Sequence, residues 1–140
     1  MDAAWVRAVT GLILIGHGLG HALAVFPIFG LRLSETHSPD SFPLSRLIGA
    51  GPARGAGAIL NLLALLAFVG AGLALPDWAL SGASWGRLAV VAAVVSCVAL
   101  TLYWNAFPFL FPNKVGVITV NAGTLLSVIW LRWPPELFGG

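Results

Sequence analysis

The feature that most constrains this chain is the length of its apolar runs. Four follow one another, at residues 4–29, 57–75, 87–107 and 115–133. Each is close to the roughly 20 residues that an α-helix needs to cross a bilayer core of about 30 Å. The runs are continuous rather than alternating, and backbone groups in hydrocarbon must be satisfied within their own segment, so helices are expected. Prolines mark the ends, at Pro27, Pro52, Pro76, Pro108, Pro112 and Pro134-Pro135, and none falls in the middle of a run. Composition agrees: 9% of residues are charged, where a soluble domain carries about 25%. The expected fold is all-α, an integral membrane antiparallel up-down four-helix bundle forming a single domain over residues 1–140.

Four crossings place both termini on one side. Trp5, Trp78, Trp85, Trp130 and Trp133 then fall at that face, and Tyr103, Trp104 and the Phe107–Phe111 cluster at the other, as in an aromatic belt. The bases divide almost evenly between the two sides, with a lean of the positive-inside rule toward cytoplasmic loops 31–56 and 108–114. The expected location is a bacterial-type inner membrane. Ala22-Leu23-Ala24 imitates a signal-peptidase site, but Asp2 beside Arg7 and two histidines in the apolar region argue for a retained first span. The longest connection, 31–56, carries polar loop chemistry around a solvated His37. After it come Phe42, Leu44, Leu47 and Ile48, which suit a short interfacial helix. No basic run is present to track a phosphate backbone, so nucleic acid is not an expected partner.

Within this frame the polar residues stand out. His17 and His21, in Gly16-His17-Gly18-Leu19-Gly20-His21, are four apart and share a helix face near mid-bilayer. Asn61 enters the second run, Thr101 and Asn105 end the third on a face shared with Cys97, and Asn121 lies in the fourth beside Thr119 and Thr124. At about 1.5 Å of rise per residue, these fall largely in one half of the membrane. Each loses its hydrogen bonds to water and needs a partner inside the bundle. A shared polar pocket formed by His17, His21, Asn61, Thr101, Asn105 and Asn121 satisfies them together; interhelical hydrogen bonds that merely fix packing are the alternative. Gly16 and Gly20 form a small-residue pair beside the histidines, with Gly70, Gly72, Gly116 and Gly123 as further close-approach positions. Cys97, the only cysteine, reads as a small buried hydrophobe.

The histidines are not expected to make a metal site, since the glutamate of His-Glu-x-x-His is absent and, apart from the distant Cys97, the spans hold no third ligand of the usual kind. No intramembrane carboxylate orients a histidine toward a nucleophile, and no glycine loop stands in a phosphate-binding context. Catalysis by the chain alone is therefore not expected. A single axial histidine, His17 or His21, for haem or a chlorin stays open.

Arg7, Gly11, His17-Gly18, Phe29-Gly30, Leu47 and Gly49, then Gly57 and Asn61 together resemble the first half of DoxX-like membrane proteins, over about residues 5–75. The resemblance implies a small four-helix fold and association with quinone-linked thiol or sulfur redox systems. Two departures stand out: the family tends to have a lysine where this chain has His21, and an acidic residue where it has Asn61. The leading expectation is a small non-catalytic subunit or binding module that holds a quinone or lipid in a half-membrane pocket. Its partners would be the bilayer and other membrane subunits or further copies of itself. A haem carrier, a quinone-linked oxidoreductase subunit and a structural or assembly protein are the alternatives.

Overall fold

The computed structural model describes residues 3–135. Met1 and Asp2, which bear on the leader-peptide argument, lie outside the described residues. The chain is helical and, among the described residues, has no strand. Helix α1 (Ala3–Gly20) tightens into a 3-10 segment, His21–Phe29. A loop leads to α2 (Phe42–Ile48), α3 (Ala50–Ala74), α4 (Trp85–Leu102) and α5 (Val115–Leu125), which ends in a π-helical turn, Leu126–Trp130. Three helical segments are long and apolar enough to cross a membrane: Ala3–Phe29, Ala50–Ala74 and Gly82–Leu102.

The fourth expected span is shorter than its apolar run. It has 11 α-helical residues followed by 5 in the π-turn, or roughly 24 Å at about 1.5 Å per residue. The second span begins at Ala50 rather than at 57. Gly49, at φ +87, separates it from α2, and Pro52 falls in its first turn, where a missing N–H costs nothing. The third ends at Leu102 instead of 107, where Tyr103 leaves the helical region and its hydroxyl donates to the Ala53 carbonyl at 2.6 Å. The short helix expected in the long loop is present as α2, capped by Ser41, whose hydroxyl accepts from the Leu44 N–H.

α3 lies between α1 and α4, α5 packs on α4, and α1 meets α5 along a much thinner seam. Close approach is made by Gly11 and Gly72. A Cβ at Gly11 would stand 2.6 Å from the Gly72 carbonyl oxygen, and one at Gly72 would stand 2.5 Å from that of Gly11. Gly16, Gly20, Gly116 and Gly123 face open space instead, which corrects the expectation that Gly16 and Gly20 mark the contact. On α1 the tight positions are Gly11 and Gly18, where a Cβ at Gly18 would stand 2.9 Å from the Leu65 carbonyl oxygen.

Two apolar clusters fill the interior. One gathers Leu14, Phe68, Leu75, Trp85, Ala92 and Val128; the other gathers Ala24, Leu100, Tyr103, Ala106, Phe107 and Val117. Trp5, Trp78 and Trp130 are exposed on the terminal side, but Trp85 is buried and meets Trp133 edge-on.

His37 is not the solvated surface residue that the sequence suggests. It is fully buried: Nδ1 accepts from the Leu33 N–H at 3.1 Å, so Nε2 carries the proton and donates to the Ala106 carbonyl at 3.0 Å. The Leu23 carbonyl also faces this ring; Pro27, four residues on, has no N–H to offer it. Ser34 Oγ donates to the Pro108 carbonyl and the Ser38 N–H to that of Asn105, each at 2.9 Å. Residues 33–38 are thus stapled to the turn after α4.

Candidate functional site

Each long helix contributes one polar side chain to a level between the two apolar clusters. Along α1 and its 3-10 continuation the order is Leu14, His21, Ala24; on α4, Ala93, Ser96, Leu100; along α5 and its π-turn, Val117, Asn121, Val128. Asn61 provides the contribution from α3. All four polar residues are at most 1% exposed. Removed from water, such groups must bond to one another or carry a desolvation cost.

Their bonds run in one direction. Asn61 Nδ2 donates to the carbonyl of Gly57 at 2.9 Å, which turns its Oδ1 toward His21. His21 Nδ1 therefore carries the proton and donates to that oxygen at 3.0 Å. Nε2 is left as an acceptor for the Ser96 hydroxyl at 2.9 Å. Ser96 Oγ in turn accepts from Asn121 Nδ2 at 2.9 Å. The chain Asn121–Ser96–His21–Asn61–Gly57 ties α5, α4, the end of α1 and α3 together, with the Asn61 amide and Gly57 fixing the tautomer at its far end. Phe68 stacks beside His21 and Phe107 meets it edge-on, so the network is packed rather than hollow.

His17 stands outside this chain but against it. Its ring meets His21 edge-on with centroids 5.4 Å apart and Phe68 edge-on at 4.6 Å. It lies beside Asn121, and each keeps one buried polar atom without a hydrogen bond, His17 Nε2 and Asn121 Oδ1. Of the two imidazoles considered as axial ligands, only that of His17 keeps a nitrogen free of hydrogen bonds, because both nitrogens of His21 are engaged.

Asn121 also borders a groove on the surface. This groove of about 640 Å³ runs between α4 and α5, lined by Cys97, Leu100, Thr101, Trp104, Ile118, Asn121, Ala122 and Leu125. The second N–H of Asn121 points at Cys97 Sγ, 3.4 Å away. Sulfur is a weak acceptor, so a carbonyl or phosphate-ester oxygen entering here can take that N–H. Cys97 is exposed, which corrects its reading as a buried hydrophobe: it sits one residue past the inward face of α4.

The structure brings His17, His21, Asn61 and Asn121 together. Thr101 lines the groove with its hydroxyl turned back to the Cys97 carbonyl at 2.8 Å. Asn105 is not part of the site: it is exposed, and its backbone carbonyl holds the Ser38 N–H. Ser96 was missed from sequence. The signal for it is the stripe Ala89, Ala92, Ala93, Ser96, Ala99, all fully buried, at helical spacing with one hydroxyl among alanines. No family model, curated protein or solved structure matches this chain.

Proposed function

We propose that this is a four-span integral membrane protein that holds a hydrophobic molecule, a quinone or a lipid, in the groove between α4 and α5. The ligand's polar group would meet the Asn121 amide. The observation that carries this reading is the position of Asn121: 1% exposed, donating into the buried chain through one N–H and lining the groove with the other. An apolar cleft with few, well-placed polar groups is the usual anatomy of such sites. The resemblance to DoxX-like proteins is consistent with a four-helix, quinone-associated role within a larger membrane assembly. The chain's own residues would bind and orient the ligand, and any redox chemistry would come from a partner.

The test is mass spectrometry of lipids and quinones extracted from protein purified from its native membrane. The wild type is expected to carry a specific amphiphile. Ile118→Trp, which fills the groove without touching the buried chain, should reduce that occupancy at least about tenfold, the equivalent of ~1.4 kcal/mol. Equal occupancy in the two proteins overturns the proposal.

A second reading rests on the closure of the His21 network, all of whose ring nitrogens find partners inside the protein. In that reading the chain is purely a latch between helices and the protein a structural or assembly subunit. It predicts that Ile118→Trp changes nothing while His21→Leu prevents folding.

A further inference from the structure

Lys114 has no role in the function proposed above. It closes the turn ahead of α5 and is only 7% exposed. Its Nζ stands 4.8 Å from the centre of the Trp104 ring. No carboxylate answers it among the described residues: Asp40 pairs with Arg54, Asp77 accepts from the Gly82 N–H, and Glu35 lies in the exposed part of the 31–40 loop. An ammonium held against an aromatic face with no carboxylate beside it can donate a charge-assisted hydrogen bond to an arriving anion.

Its position says where that charge would come from. Lys114, Ile118, Asn121 and Leu125 succeed one another along one face of the last helix, and the last three line the groove. Trp104, over which the ammonium stands, lines the same groove from the side of α4. A cation therefore stands beside the end of the groove nearest residues 103–114, with an amide about 10 Å further in by helical rise and apolar walls beyond.

We infer that the groove takes an anionic amphiphile, a phospholipid whose acidic head engages Lys114 over Trp104 while its ester oxygens reach Asn121 and an acyl chain lies along Leu100, Ile118 and Leu125. This rests on the groove reading and narrows it by charge. A neutral quinone leaves the ammonium unanswered, and free phosphate leaves the apolar walls empty.

The experiment uses the full chain in phosphatidylcholine nanodiscs containing phosphatidylglycerol, with bound lipid read by native mass spectrometry after detergent release. The wild type should retain phosphatidylglycerol over phosphatidylcholine by about tenfold, a preference in the range of a charge-assisted hydrogen bond. Lys114→Gln should bring the two lipids near parity, and Lys114→Arg should keep the preference. If Lys114→Gln does not fold, the wild type decides alone: added salt should erode the preference, since it rests on charge. Lipid held without preference, whatever stands at position 114, overturns the inference and leaves the groove reading in place. No lipid held by any protein overturns both. Displacement of phosphatidylglycerol by millimolar inorganic phosphate, leaving the groove empty, assigns the site to free anion and overturns the amphiphile.

Discussion

Ser96 is a small side chain on which two others depend. Its hydroxyl supplies the donor for His21 Nε2 and the acceptor for Asn121 Nδ2. Ser96→Ala would leave both buried and unpaired, and each unmade bond of this kind costs about 1–3 kcal/mol in water-soluble proteins and about 0.6–1.7 kcal/mol within membranes. Equilibrium unfolding in mixed micelles is expected to show a loss of roughly 1–2 kcal/mol; a change below about 0.3 kcal/mol would mean the chain of bonds contributes little to stability. His21, Asn61 and Asn121 were legible in sequence because an amide or imidazole in hydrocarbon has to find a partner. Ser96 was not, because a serine hydroxyl can bond to its own helix backbone and carries little signal. His37 misled in the opposite sense, since a polar loop gives no hint that it folds back over the helix ends. Burial lowers the His37 pKa, and the neutral ring is also demanded by the Leu33 N–H aimed at Nδ1. The unfolded segment, with a histidine pKa of about 6.5, thus takes up the proton first. The staple contributes fully above that value and weakens as pH falls through it. Protection factors at Leu33 and Ser38, taken after dividing out the intrinsic slowing of amide exchange in acid, should be high at about pH 7.5 and markedly lower at about pH 5.5; protection that ignores pH would remove His37 from this role.

At the scale of helices, the α1–α3 crossing depends on the mutual approach of two backbones at Gly11 and Gly72. Adding a β-branched side chain at Gly72 would drive into the Gly11 carbonyl and Ile15, and overpacking of this kind costs roughly 1–3 kcal/mol. Gly20→Val adds the same volume at a site with open space around it, so it should leave the unfolding midpoint nearly unchanged while Gly72→Val lowers it. Comparable effects from the two variants would place the crossing elsewhere. The existence of the long helices was readable from hydropathy alone, but their rotation was not. Apolar residues surround a membrane helix on all sides, so the usual contrast between a wet and a dry face is missing. The consequence is visible on α4. Steps of four from Cys97 through Thr101 to Asn105 trace a plausible polar face, yet the buried stripe passes through Ser96, Ala99 and Tyr103. A shift of one residue, about 100° around the axis, moved the candidate site from the interior to the groove wall and beyond it. The helix ends were misplaced for a related reason. Residues 50–56 fall within the connection expected between the first two spans, with Pro52 marking its end, but they form the first turns of α3, with Ala53 wholly buried and Gly57 against the Tyr103 ring.

For the whole molecule, the polar level lies between two apolar clusters, and α5 closes it beside α4, on the side away from α3. Asn121 reaches Ser96 only if α5 runs beside α4 at matching depth. In a chain whose α4 crosses the membrane, α5 must then lie largely within the bilayer. Its 11 α-helical residues and the 5 of the π-turn fall short of a full crossing by about 6 Å. Trp130, exposed at its end, and Trp133 beyond it suit an interfacial anchor that makes up the difference by thinning the bilayer locally. Four crossings put position 135 on the side of position 3, whereas an α5 that dips in and returns would put it on the side of position 113. Cys97 is the single cysteine, so Cys97→Ser gives a clean background for Ala3→Cys, Ser38→Cys, Ser81→Cys, Asn113→Cys and Pro135→Cys. With an impermeant maleimide applied to sealed vesicles, positions 3, 81 and 135 should label as one set and positions 38 and 113 as the other. Labelling of 135 together with 113 would make α5 a re-entrant element, and the groove it forms with α4 would open to water at its Trp130 end instead of to lipid.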